Sequence, residues 1–479
     1  MKRTLAILAL AILAGALTAP AEYKAVNPQV AKIVSEVSEE RIAATLKKLE
    51  SFGTRNIYSR TDDPARGVGG ARQWIYDQFK SYSPKLEVSF DQYRLKKEEG
   101  RGSRITADVD LWNVVAVLPG TTSKEERIVI SGHYDTVNQQ RAPGAPPNAP
   151  GDTPTDGAAG AGRGAGANNG PPPPPRDPNI DAPGVTDDGS GTACVMELAR
   201  VMSHYQFEKT IVFVAFAGEE QGLLGSTLYA KKAKDTGMKI EAVLNNDIIG
   251  SDVAGDGRTD NHRLNVFSED PSDSPSRELA RYIREIGQRY VPEMNVDPVF
   301  RADRFGRGGD HTPFNLEGFA AVRFSTPTEN FANQHSTTDT FAGTSPSYIA
   351  RATKVNGAVA ASLAWAPKAP TTTETVERNG RKVTSLLLTR GKTRYDALLK
   401  WKNENPEADL AGYVVLMRST TAAFWEREIF VGNVTEYLMP GVSIDDVVFA
   451  VKAIDKDGNE SLATAYVQNP REKRTISVY

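Results

Sequence analysis

Five short runs constrain the fold most: residues 111–118 (LWNVVAVL), 127–131 (RIVIS), 210–216 (TIVFVAF), 241–246 (EAVLNN) and 320–324 (AAVRF). They are rich in β-branched and apolar residues and too short for buried helices, the pattern of strands covered on both faces. Between and around them lie helical periodicities over 26–52, 69–82, 191–205, 225–234, 276–290 and 348–365. In 276–290, Leu279, Tyr282, Ile283 and Ile286 form one stripe. Strands alternating with helices predict an α/β domain, a mostly parallel central sheet covered by helices on both faces. At the Pro/Thr segment 367–373 the helical periods stop. Residues 397–401, 411–418, 428–431 and 447–453 then read as strands, with Asp457-Gly458 as a hairpin signal, so a small all-β sandwich should follow. Asp455, Asp457 and Asn459 have the look of a calcium loop, but the glycine is misplaced and a turn accounts for them.

A chain of 479 residues is long for one domain. The expected division is a signal peptide at 1–21, an α/β domain at 22–366, a linker at 367–375 and the sandwich at 376–479. Lys2 and Arg3 precede an apolar run over 5–17, then Ala19-Pro20-Ala21, which predicts cleavage after Ala21 and export to the periplasm or medium. The run is short for a membrane span, no cysteine there offers a lipid site, and no other stretch could cross a bilayer; an uncleaved anchor is the competing reading. Residues 139–183 carry Ala-Pro-Gly repeats and five prolines from Pro171 to Pro175. They have almost nothing to bury and read as a solvated insertion rather than a site for a proline-recognising partner. The balance of 57 basic and 60 acidic residues gives no reason to expect nucleic acid. The single cysteine, Cys194, excludes an intrachain disulfide and a Cys-rich zinc site, and its apolar neighbours mark it as core.

The chemistry gathers where the strands end. Gly132-His133-Tyr134-Asp135 follows the second strand, Ala217-Gly218-Glu219-Glu220 the third, Asp247 the fourth, and His335 comes one loop beyond the fifth. Asp187 and Asp188 precede the helix at 191. In open parallel sheets ligands bind beyond the carboxyl ends of the strands. Two adjacent glutamates directly after an apolar strand are costly unless a cation neutralises them, so a metal site of His, Asp and Glu is expected. His204 and His262 sit in surroundings without ligand spacing.

The motifs Ser131-Gly132-His133-Tyr134-Asp135, Thr186-Asp187-Asp188-Gly189-Ser190-Gly191, Ala217-Gly218-Glu219-Glu220-Gln221-Gly222, Asn246-Asp247, Gly309-Asp310-His311-Thr312-Pro313 and His335-Ser336-Thr337-Thr338-Asp339 resemble the secreted bacterial leucyl aminopeptidase family of co-catalytic zinc exopeptidases, which also includes aminopeptidase Y and glutamate carboxypeptidase II. The resemblance spans roughly residues 40–365. It implies two zinc ions bridged by Asp187, with His133 and Asp247 completing one site and Glu220 and His335 the other. It further implies Glu219 as general base and Asp135 as the group that fixes the His133 tautomer. Thr186 departs from the Asp or Asn common in relatives, and the insertion separates His133 from Asp187.

Such a pair of sites leaves positions for water and substrate. A free α-amine near the cluster favours release of N-terminal residues from peptides. Asp310 and His311 are expected to shape the pocket. Arg304 and Arg307 are expected to read a substrate carboxylate if the enzyme is instead a carboxypeptidase or dipeptidase. The same residues are also compatible with a glutaminyl cyclase-like transferase that holds one zinc. A non-catalytic binding protein on this scaffold would be expected to have lost a ligand or the base, and neither is lost. A serine hydrolase is a poor fit, since Asp188-Gly189-Ser190-Gly191 lacks the first glycine of a nucleophile elbow. Trp401, Tyr413, Tyr437-Leu438 and 448–451 resemble a fibronectin type III domain, which leaves substrate, cell surface or a partner protein as its candidate ligands.

Overall fold

The structure, a computed structural model, describes residues 26–99, 104–139, 177–378, 380–404 and 408–467. The leader expected at 1–21 and most of the expected insertion therefore lie outside the described residues.

The periodicity over 26–52 is two helices, α1 (Pro28–Ser35) and α2 (Glu39–Ser51). Ser38 separates them: its hydroxyl caps α2 by accepting from Arg41 N, and its own N–H donates to the buried Glu197 at 2.8 Å. The α/β domain continues with α3 (Gly67–Tyr82), β1 (Glu87–Leu95), β2 (Val109–Leu118), β3 (Ser123–His133), α4 (Ser190–Met202), β4 (Lys209–Phe216), α5 (Leu224–Asp235), β5 (Lys239–Asn246), β6 (Arg263–Ser268), α6 (Pro275–Tyr290), β7 (Asn295–Val299), α7 (His311–Leu316), β8 (Ala321–Ser325) and α8 (Pro346–Trp365).

These strands form one eight-stranded sheet in the order β1-β2-β4-β3-β5-β8-β6-β7. The central four, β4, β3, β5 and β8, run parallel, as do β6 and β7. The β1–β2, β2–β4 and β6–β8 pairs are antiparallel. Alternate side chains of the central strands enter two cores. Ile128, Ile130, Phe213, Leu244 and Val322 pack under α4 and α8. Val129, Val212, Val214, Val243 and Ala321 pack under α5 and α7 through Tyr229, Ala230, Ala233 and Phe314. Both faces are thus covered, and the shared carboxyl edge of β3, β4 and β5 is where side chains can converge. None of the helices among the described residues is long and apolar enough to cross a membrane.

The carboxyl-terminal part is antiparallel throughout. A hairpin pairs β9 (Thr373–Arg378) with β10 (Arg381–Leu386). β11 (Leu388–Arg390), β12 (Ala397–Lys400) and β15 (Glu436–Met439) form one sheet. β14 (Arg427–Gly432), β13 (Leu410–Ser419), β16 (Val447–Asp455) and β17 (Thr464–Ala465) form another. Leu399, Trp401, Tyr413, Val415, Phe449 and Val451 fill the core between these two sheets. Asp455 accepts from the N–H groups of Asp457 and Asn459, the turn expected there.

This module rests on α6 through charge. Buried Lys452 pairs with Glu460, Glu285 and Glu428, and Arg289 of α6 pairs with the fully buried Glu460. Arg418 pairs with Asp273, and Trp425 Nε1 donates to Glu278 at 3.1 Å. The two ends of the described chain meet beside it, where Asn27 Nδ2 donates to Asn459 Oδ1 at 3.1 Å.

Candidate metal centre

Because β3, β4 and β5 are parallel neighbours, the residues that leave their carboxyl ends emerge side by side. His133 is the last residue of β3, Glu219 and Glu220 follow β4, and Asp247 follows β5. The turn before α4 brings Asp187 beneath them. Gly191 permits this: a Cβ there would collide with the Asn246 carbonyl and the Asp188 carboxylate, so no other residue lets the helix approach so near the sheet.

The convergence is close. His133 Nε2 lies 3.2 Å from Asp187 Oδ1 and 3.9 Å from Asp247 Oδ1. His335 Nε2 lies 3.0 Å from Asp187 Oδ2 and 3.1 Å from Glu220 Oε2. Asp187 therefore turns one oxygen to each imidazole. Donor atoms of His133, Asp187 and Asp247, and of Asp187, Glu220 and His335, fall within 4.8 Å of one another, and every one of these residues is buried. His335 and Ile248, the residue after Asp247, hold left-handed backbone at φ 54° and 60°. That conformation costs a non-glycine residue about 1–3 kcal/mol and tends to occur where a side chain must be aimed.

The residues around the cluster brace it. Asp188 accepts from the N–H groups of His133, Gly191 and Ile248, so one carboxylate ties three strand and helix ends together. Asp339 accepts from Thr186 N, Thr186 Oγ1 and Asp187 N. Arg55, fully buried, donates to the backbone carbonyls of Tyr134, Leu49, Pro183 and Gly184, fixing the turn before α4 against the β3 exit; burial pulls its pKa down to about 10. Arg323, in the middle of β8 and fully buried, donates to Asp247 Oδ2 at 2.9 Å and to Asp303 at 3.3 Å. Neither Arg323 nor Asp339 is among the site residues expected from the sequence. An arginine inside an otherwise apolar strand was the available signal for the first.

The remaining expected residues have further partners. The nearer partner of His133 Nδ1 is the Asp135 backbone carbonyl, at 3.1 Å; the Asp135 carboxylate lies at 3.7 Å and accepts from the N–H groups of Glu219 and Glu220. Asp135 thus aims both the imidazole and the paired glutamates. Arg304 and Arg307 reach the wall of the cluster, but Asp303 and Glu329 already hold Arg304, and Glu329 holds Arg307. Asp310 and His311 sit behind the cluster instead of on a cleft wall: Asp310 accepts from Ser226 Oγ, and His311 Nε2 meets the Ala302 carbonyl at 2.9 Å.

The electrostatics describe a site short of positive charge. Burial raises the Glu219 carboxyl well above its usual range and brings Glu220 up to about 7. Burial also opposes charge on His133, yet the contacts with Asp135 and Asp187 outweigh it and push the imidazole well above its usual range. Burial opposes charge on His335 too, and Glu220 and Asp187 again outweigh it. Beyond these imidazole–carboxylate contacts, His133 Nε2 and both Glu220 carboxylate oxygens are buried with no hydrogen-bond partner. Unsatisfied buried nitrogen and oxygen donors, several acids and no thiolate make a set that fits zinc or a similar divalent ion. The space they enclose is about 10 Å³, of the order one water fills. Clefts of about 680 and 910 Å³ open on either side of Gln221.

Residues 113–360 match Peptidase family M28. The chain belongs to that family. The match covers β2 to α8, so it includes every residue of the cluster. Among curated proteins, this M28 peptidase is 33% identical over 463 residues to a probable zinc metalloprotease of Pyrenophora tritici-repentis, covering 90% of this chain and 95% of that one. It is 35% identical over 472 residues to a probable zinc metalloprotease of Pyricularia oryzae, with 90% and 83% covered. Among solved structures, the Legionella pneumophila LapA aminopeptidase aligns over 71% of this chain and 76% of its own at 21% identity, with a TM-score of 0.49.

Proposed function

We propose that the chain is a zinc-dependent exopeptidase that releases N-terminal residues from peptides, using two ions that share Asp187. What supports this most is the placement of Asp187, one oxygen 3.2 Å from His133 and the other 3.0 Å from His335, with Asp247 on the first side and Glu220 on the second. The zinc metalloprotease relatives agree with the donor set. When bound, zinc supplies Lewis acidity to the scissile carbonyl and to the attacking water.

The chain's own residues do the rest. Glu219, made more basic by burial and by the neighbouring acids, takes a proton from the water and returns it to the departing amine. Asp135 holds Glu219 in place through its N–H, and Arg323 holds Asp247. The acids that crowd the site attract the substrate's ammonium group, which is the physical basis for preferring a free amino terminus. The amino-terminal pattern supports action outside the cytoplasm, with mature protein beginning at Glu22, a mass that intact-protein spectrometry reads directly.

The test is metal content measured together with hydrolysis of a peptide and its N-acetylated twin. About two zinc ions per chain and cleavage of the free peptide alone are expected. Equal cleavage of both would replace aminopeptidase by carboxypeptidase or endopeptidase action. One ion and no hydrolysis would replace it by cyclase-like acyl transfer.

A further inference from the structure

The cleft of about 680 Å³ beside the cluster carries more basic than acidic side chains, its acids being Glu98 and Asp303. Four arginines line it: Arg104, Arg301, Arg304 and Arg307. Arg304 and Arg307 are neutralised by Asp303 and Glu329. Arg104 and Arg301 are not: neither has an ion-pair partner among the described residues, and both are only partly exposed. Each nevertheless has a packing contact, although the ring beneath Arg301 is itself 89% exposed. The Arg301 guanidinium lies 3.8 Å from the Phe305 ring centroid. The Arg104 side chain lies over Gly222, where a Cβ would come within 3.3 Å of its Cδ and 3.7 Å of Nη1. Gly222 N donates to the Glu219 carbonyl at 2.8 Å, so Arg104 covers the same turn that carries the proposed base.

We infer that Arg104 and Arg301 bind a carboxylate on the departing part of the substrate, making this a subsite for short or acidic peptides. The inference rests on the peptidase function proposed above. Two guanidiniums repel the substrate's ammonium group, which the acidic cluster attracts, so the amino-terminal residue lies on the cluster and the leaving part lies in this cleft. A guanidinium that has packing contacts but no counter-ion is open to a bidentate carboxylate. The carboxylate is either the peptide's own C-terminus, one residue beyond the scissile bond, or an acidic side chain there.

Four substrates separate these sources in the zinc-loaded full-length enzyme: Leu-Gly against Leu-Gly-amide for the terminal group, and Leu-Glu-amide against Leu-Gln-amide for the side chain. One charge-assisted contact predicts a kcat/KM preference of about tenfold for the carboxylate in at least one pair. Arg104→Gln and Arg301→Gln should each bring that ratio toward one. The ratio is internal to each variant, and the two variants are read separately, so one that folds poorly leaves the other to decide. Ratios near one in the wild-type enzyme, or a preference that survives in both variants, would overturn the assignment while leaving the peptidase function standing. No turnover of any of the four substrates would overturn that function, and the subsite with it.

Discussion

Replacing Arg323 by Met is the sharpest probe of how the fold supports the cluster. The guanidinium is fully buried and donates to Asp247 Oδ2 at 2.9 Å, to the Asp247 carbonyl at 3.1 Å and to Asp303 at 3.3 Å. Methionine fills much of the volume but leaves two carboxylates, whose side chains are 4% and 5% exposed, without that counter-ion. Breaking one partner out of a buried ion pair costs about 3–5 kcal/mol. Arg304 still holds Asp303, so the low end, about 3 kcal/mol, is expected. Urea unfolding of the metal-free protein at pH 7 should show it as a lowered midpoint with an unchanged slope. Acid adds a second signature. Burial works to raise the Asp303 carboxyl, but Arg323 and Arg304 outweigh it and hold that carboxyl well below its usual range. A carboxylate with a depressed folded pKa contributes stability that is present above its unfolded pKa, about 4, and lost as pH falls through the folded value. The variant should therefore start lower at pH 7 and fall less steeply below about pH 4. A midpoint shift worth less than about 0.5 kcal/mol, the scale of an ordinary surface substitution, would refute the view that Arg323 neutralises these acids.

Glu219→Gln should keep its metal content while turnover falls by about 10²–10⁴-fold, the usual contribution of a positioned base; near-normal turnover would remove Glu219 from that role. Asp339→Asn keeps one accepting oxygen and turns its amide donor against the N–H of either Thr186 or Asp187, and zinc affinity should weaken by about 10–100-fold in a competitive chelator titration. Asp187→Ala should lower the occupancy of both metals together in elemental analysis; loss of one alone would argue against sharing. Lys452→Met leaves the fully buried Glu460 with Arg289 as its remaining partner, and calorimetry should register a loss of about 3 kcal/mol, part of which Glu460→Gln restores when combined with it.

The elements that could be read from the sequence were those with uniform burial or a regular apolar stripe. β4 is buried at every residue, and its unbroken apolar run gave it away. β1 is only half buried, β7 contains Pro298, and α7 is six residues long, so none carried enough period to be seen. The break between α1 and α2 depends on Glu197, 159 residues beyond Ser38, which local pattern does not reveal. The same distinction runs through the site. His133, Glu219, Glu220 and Asp247 were legible because each ends or closely follows a strand, and parallel pairing then places them together. Asp339 and Arg323 act on residues 152 and 76 positions away, and the Asp135 carboxylate acts on residues 84 and 85 away. Their neighbours in sequence say nothing of those partners.

The docking of the carboxyl-terminal module on α6 also bears on the order in which the protein can be made. Arg289 and Glu285 lie on a helix complete by Tyr290 and pair with each other, yet their further counter-charges, Glu460 and Lys452, come 171 and 167 residues later. Asn27 waits longer still, for Asn459, 432 residues away. A growing chain thus finishes its catalytic sheet with a charged helix face and its first capping residue still lacking these later partners. Proteolytic trimming, early termination or a fusion that displaces the last strands would expose this face, so the catalytic half should be obtained as a stable species only with the chain through Glu460 attached.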